Sequence, residues 1–303
     1  MRRLVVLAAV GALLTGCSST HSPDAAPAPS TSVSVPASTP AATPTLTTSA
    51  RPTPRHTQPH PPTATRPTST TTAPPPAPSA SFPPGSGPVV ALNPGHNGAN
   101  GSHPAEINRL VPADRYGDTK ACDTTGTNTD AGYPEHAFNW DVTLRVRALL
   151  QARGVRVILT RPDDSGVGPC VDERAAIGNQ TGVTAVISIH ADGAGSDGHG
   201  FHVCEDSQPP AGAAVAARSH RLTVAMHDAL LRGSGLTTST YLGSNGYFPR
   251  SDLAGLNLAT VPATFLELGN MRNAGDAALQ SSTSGRQRVA AAVAAGILAY
   301  LGG

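Results

Sequence analysis

The 303-residue sequence carries almost no net charge, with 21 basic against 20 acidic residues, a formal charge of +1 and a pI near 7.8. Nothing in that balance calls for a nucleic acid or a strongly charged partner, and no nucleic-acid partner is expected. Lysine is nearly missing. Lys120 is the only one, every other basic residue being arginine, a bias read as GC-rich codon usage rather than function. Long apolar runs are lacking too. The eleven residues at 4–14 and the thirteen uncharged, mostly apolar residues from Val289 both fall short of the ~20 that a membrane-spanning helix requires. Internal repeats are absent, and cysteine is limited to four positions.

What is there divides into three stretches. Residues 1–17, "MRRLVVLAAVGALLTGC", place two arginines before an apolar core and end on Leu14-Thr15-Gly16-Cys17, the layout of a secretory signal peptide. The "LTGC" ending resembles the bacterial lipobox, which implies lipid attachment at Cys17 and a protein tethered to the outer face of the cell membrane. Residues 18–87 hold 18 of the 29 prolines, much Ser, Thr and Ala, one aromatic residue (Phe82) and almost no charge. Such a composition cannot bury enough apolar surface to offset its ordering entropy, so a disordered linker is expected. Residues 88–303 are long enough for one domain with a full core.

Within that domain, apolar runs at 88–92 (PVVAL), 155–160 (VRVILT), 184–189 (TAVISI), 200–204 (GFHVC) and 261–267 (VPATFLE) predict buried strands. Over 138–153, Val142, Val146, Leu149 and Leu150 form a helical stripe that leaves Arg145 and Arg147 outside it. Pro134 suits the first turn of that helix and Gly154 its end. Further helices are predicted near 172–179, 211–233 and 285–301. Strands alternating with helices define an α/β class: a single domain with a mixed, largely buried β-sheet flanked by helices. In an exported protein Cys122 and Cys170 can pair, leaving Cys204 as a buried thiol at a strand position; other pairings stay open from sequence. A 122–170 bridge would constrain the unfolded chain by roughly 4 kcal/mol and pin the polar loop 117–133 beside 134–136.

Four residues stand where an α/β sheet builds a site. His96 follows the first strand in "LNPGHNG", His190 ends "AVISIHADG", Glu267 ends "PATFLELGN", and Glu135 in "GYPEH" opens the first long helix. Gly95 and Gly98 leave room around His96. Two histidines and a carboxylate are a catalytic zinc set with a fourth position open. A further carboxylate can then move a proton between water and leaving group. Other polar residues have plainer readings. His136 competes with Glu135 as a ligand; His103 sits in a loop, and Glu205 and Asp206 belong to a polar turn. Arg250 and Asp252 in "PRSDLAGLN" either grip a substrate carboxylate or pair with each other.

Together "LNPGHNG", "GYPEHAFNWD", "VISIHADG", "RSDLAGLN" and "PATFLELGNMRN" resemble the zinc-dependent N-acetylmuramoyl-L-alanine amidases of the amidase-3 family, above all its actinobacterial cell-wall branch. The resemblance covers essentially 88–303 in the expected order, and the flanking cysteines share it. It implies His96, Glu135 and His190 as zinc ligands and Glu267 as the catalytic glutamate. The substrate it implies is peptidoglycan or muropeptides, cut between muramic acid and L-alanine. Asn93 departs from the family's common Asp before Pro-Gly-His, which implies altered hydrogen bonding behind His96. A monomer is expected. Two other functions share these features: a zinc peptidase cutting within the stem peptide, and a non-catalytic wall-binding lipoprotein.

Overall fold

The computed structural model describes residues 82–83, 85–208 and 211–302. Cys17, the signal segment and nearly all of the 18–87 stretch lie outside the described residues, with the expectations attached to them. Strand β1 (Val89–Pro94) leads through a short helix α1 (Pro104–Ile107) into a hairpin of β2 (Leu110–Pro112) and β3 (Thr119–Ala121). Helix α2 (Glu135–Gln151) precedes β4 (Arg156–Leu159), and α3 (Val171–Gly178) precedes β5 (Val183–Asp192). Then follow β6 (His202–Cys204), α4 (Ala213–Gly233), α5 (Ala254–Asn257), β7 (Ala263–Asn270), α6 (Ala274–Ser281) and α7 (Thr283–Gly302).

The main sheet runs β4-β1-β5-β7-β6, parallel throughout except that β6 lies antiparallel to β7. Strands in such a sheet are covered on both faces, which is why they read as unbroken apolar runs; all six residues of β1 are buried. Side-chain alternation sorts the sheet into two cores. Val90, Leu92, Ile187, Leu266 and Leu268 face α2, α4 and α7, meeting Val142, Val146 and Leu150, Leu222 and Met226, and Val289 and Val293. Val89, Ala91, Val186, Cys204 and Phe265 face the other way, toward Leu256 of α5.

The predicted α2 stripe is thus the buried one. The helix starts earlier than the stripe because Pro134, at φ −82° and ψ 149°, hands an extended chain straight into a turn opened by Glu135. The C-terminal apolar stretch is a core helix, and among the described residues no helix is long and apolar enough to cross a membrane. Phe82, which composition groups with the linker, packs against the larger core, and its N–H donates to the Arg153 carbonyl at 2.9 Å. Cys122 and Cys170 form a disulfide and Cys204 is a buried free thiol.

Candidate active site

The chain passes from β1 to β4 on one side, while β5 lies on the other. The order of strands therefore switches between β1 and β5, where open α/β sheets present a crevice beyond their carboxyl ends. His96 and His190 stand on the two sides of that crevice. His96 takes a left-handed backbone (φ 57°), a strained state for a non-glycine residue that persists where its surroundings enforce it. Gly95 is required by close approach, since a Cβ there would stand 2.0 Å from Cε1 of His190. Gly98 plays a different part from the one expected: a Cβ would meet the Asp164 carbonyl at 2.1 Å, so it makes room for backbone rather than for a metal.

Glu135 joins the two rings. Its Oε2 lies 3.2 Å from His96 Nε2 and its Oε1 lies 3.0 Å from His190 Nδ1. The rings meet edge to face with centroids 4.9 Å apart. Both carboxylate oxygens are fixed from behind: Oε1 accepts from the Ala191 N–H (3.2 Å) and Asn139 Nδ2 (3.1 Å), and Oε2 from the Thr127 N–H (3.0 Å). His96 Nδ1 lies 3.0 Å from the Thr124 carbonyl, which can only accept, and 3.2 Å from Asp123 Oδ1. Nδ1 therefore carries a proton, and Nε2 is the ring nitrogen that faces the cluster and would give its lone pair to a metal there. One ligand atom from each of His96, Glu135 and His190 lies within 4.8 Å of the others, and this nitrogen, nitrogen and oxygen set fits a zinc ion with an open position.

The electrostatics demand positive charge here. Burial opposes protonation of His96, but the Glu135 and Asp123 carboxylates outweigh it and lift the ring to about 10. Burial also opposes ionisation of Glu135, yet the two histidines hold its carboxyl well below the usual carboxylate range. Glu267 goes the opposite way. Burial first, then the negative charges of Glu135 and Asp192, push its carboxyl well above the usual range. Its Oε2 is buried without a hydrogen-bond partner.

These residues line a cleft of about 390 Å³ that also includes Asn93, Lys120, Asp123, Thr127, Asp192 and Phe265. Phe265 stacks on His190 with ring centroids 4.3 Å apart. Asn93 donates through Nδ2 to Ser188 Oγ (3.0 Å), while its Oδ1 accepts from Thr160 (2.7 Å) and Arg174 (3.2 Å). It thus ties β1 to its surroundings and does not reach the ligand cluster. The remaining sequence candidates lie elsewhere. His136 Nδ1 is 2.8 Å from Asp164 Oδ2, outside the cluster. His103 bonds Ser102 and the Ala99 carbonyl, and Glu205 pairs with His220. Arg250 donates to both oxygens of Asp252 at 2.6 Å, so the two occupy each other, and neither lines the cleft.

Sequence reasoning missed the residues behind His96. Arg174, buried in α3, donates to the carbonyls of Pro94 (2.7 Å), His96 (2.9 Å) and Gly168 (3.0 Å), and to Asp123 Oδ2 at 3.2 Å. Asp123 follows Cys122 directly, so the disulfide to Cys170 at the start of α3 fixes the same corner. The expected bridge was the one available signal: it singled out 117–133, whose Asp123, Thr124, Gly126 and Thr127 wall the cleft.

An α/β sheet with two histidines and two carboxylates gathered at its switch point defines a hydrolase site able to take a metal. Comparison with known proteins narrows the class. Residues 90–299 match the amidase-3 family, N-acetylmuramoyl-L-alanine amidase, and the chain belongs to that family. It is 48% identical over 225 residues to the N-acetylmuramoyl-L-alanine amidase Rv3717 of Mycobacterium tuberculosis, covering 74% of this chain and 91% of the relative. The crystal structure of the amidase Ami1 from Mycobacterium smegmatis matches with a TM-score of 0.68 at 50% identity, over 73% of this chain and 99% of that one. The apo form of Ami1 from Mycobacterium abscessus matches with a TM-score of 0.67 at 51% identity, over 71% and 99%.

Proposed function

We propose that this member of the N-acetylmuramoyl-L-alanine amidase family is a zinc-dependent enzyme, with His96, Glu135 and His190 as ligands and Glu267 as catalytic base and acid. Its reaction is hydrolysis of the amide between N-acetylmuramic acid and L-alanine in peptidoglycan. The observation that carries the metal reading is the convergence of the three ligand atoms beside Glu267, in a corner that otherwise lifts His96 to about 10.

The chemistry a zinc ion supplies when bound is Lewis-acid activation of water and of the scissile carbonyl. Glu267 receives the proton that the attacking water gives up. It returns that proton to the L-alanine nitrogen as the carbon–nitrogen bond breaks. Asp123 and the Thr124 carbonyl keep the His96 ring in one tautomer and orientation. Phe265 and the 123–127 wall narrow the cleft around the substrate. We further propose an exported monomer that is lipid-anchored at Cys17 and carried on the 18–87 linker.

The test is metal analysis together with mass spectrometry of digested peptidoglycan, for the wild type and Glu267→Ala. One zinc per chain, with free peptides beginning at L-alanine that disappear in Glu267→Ala, is the expected result. Cleavage inside the stem peptide would replace the amidase by a peptidase. Zinc without any product would leave a binding protein.

A further inference from the structure

Behind Glu267 lies a polar group that the amidase chemistry leaves unused. His202 on β6 stands directly across one antiparallel rung from Glu267 on β7. Residues opposed in this way point to the same face of the sheet, with Cβ atoms about 4.5–5.5 Å apart. His202 is fully buried, yet both of its ring nitrogens lack a hydrogen-bond partner, and so does Glu267 Oε2. A fourth unpartnered atom is the hydroxyl of Tyr241, whose ring meets His202 edge to face. The imidazole is held edge to face by Tyr241 at 6.0 Å and Phe248 at 5.5 Å, a clamp that fixes its plane. Buried polar atoms without partners are rare in native proteins, and one on each side of the same rung calls for a shared explanation.

We propose that His202 is a positioning residue for Glu267: its N–H donates to one bridging water that in turn donates to Glu267 Oε2, and this keeps the other oxygen turned to the cleft. The proposal rests on the role given to Glu267 above. Burial pushes the His202 pKa down to about 4, so at neutral pH the ring is uncharged and offers one N–H donor and one acceptor. A carboxylate free to turn away from the reacting water loses rate steeply, because misplacement by an ångström costs on the order of 100-fold.

The experiment compares the full-length wild type with His202→Phe, His202→Gln and His202→Asn on a soluble N-acetylmuramoyl-L-alanyl peptide. His202→Phe keeps the ring volume and removes the donor; the amide nitrogens of Gln and Asn stand near the positions of Nε2 and Nδ1. The expected result is that His202→Phe retains wild-type zinc content and KM while kcat falls on the order of 10- to 100-fold, and that one of the two amides restores most of it. A kcat for His202→Phe within twofold of wild type overturns the proposal, as does a reduced kcat that neither amide restores. If His202→Phe does not fold, His202→Leu read against the two amides decides, and equal kcat in all three overturns it. A wild type that releases no L-alanyl peptide overturns the amidase reading itself, a separate result from wild-type activity that His202→Phe leaves unchanged.

Discussion

Burial holds His202 neutral with a pKa of about 4, a nearby Asp192 raising it and Arg250 lowering it, whereas in the unfolded chain the ring titrates near 6.5. Between those values the unfolded state binds the extra proton. Stability is therefore full above about pH 6.5 and is lost as pH falls toward 4. Over pH 7 to 5 the ring accounts for about 2 kcal/mol of that loss. Urea denaturation of wild type and His202→Phe at both pH values measures it: the wild type should lose about 2 kcal/mol more than the variant, and equal losses would refute a buried neutral ring. At this scale the sequence displayed the residues whose chemistry is written in local motifs: His96 just past β1, Glu135 at the start of α2, and His190 and Glu267 in the C-terminal halves of β5 and β7. It did not display Asp123, Arg174 or His202, whose meaning comes from partners far along the chain. Arg174 meets Asp123 across 51 residues and Pro94 across 80. His202 reads as an ordinary strand residue until its register against Glu267 is known.

The strands of the main sheet were legible as apolar runs because a parallel sheet is covered on both faces, and α2 was legible because only one of its faces is. The β2–β3 hairpin, α1, α5 and α6 were not. The hairpin is short and mostly exposed, and it is held by contacts no local pattern announces: Arg115 donates to the Asn257 carbonyl (3.0 and 2.9 Å) and Lys120 to the Asp252 carbonyl (2.6 Å). For α6 a signal existed, since Asn273 caps it by accepting from the N–H groups of Gly275 and Asp276, but the same residues also read as a turn. The disulfide joins this hairpin segment to the start of α3 and closes a loop of 48 residues. On the loop-entropy argument, Cys122→Ala/Cys170→Ala lowers the free energy of unfolding by about 4 kcal/mol, readable by urea denaturation. On the proposed zinc site, the double variant should also lose the metal to a chelator faster than wild type, because Asp123, which holds the His96 ring, is adjacent to the broken bridge. A drop below about 1 kcal/mol with zinc retention unchanged would mean that the Arg174 hydrogen bonds hold the corner alone.

For the whole chain, composition separated a proline-rich stretch from an α/β domain, but it misplaced one detail. Phe82 falls in the proline-rich stretch by composition and packs on the domain core in the structure, because a single aromatic residue does not change a window average. On the proposed architecture, the chemistry belongs to the domain and the location to the N-terminal segment. A diacylglyceryl group at Cys17 brings two acyl chains, enough for stable anchoring where one chain gives only reversible binding. The 64 linker residues from 18 to 81 would then set the reach, from about 45 Å as a flexible coil to roughly 200 Å if fully polyproline-like. Anchor and catalysis should separate cleanly on this arrangement. Wild type expressed in a lipoprotein-processing host should enter the detergent phase of a Triton X-114 partition with the mass of a diacylglyceryl-cysteine N-terminus. Cys17→Ser should leave the membrane fraction while its kcat and KM on a soluble muropeptide stay those of wild type. An unmodified N-terminus cut at another position would remove the anchor and leave a freely secreted amidase. A fall in soluble activity on Cys17→Ser would contradict the division of labour between tether and domain.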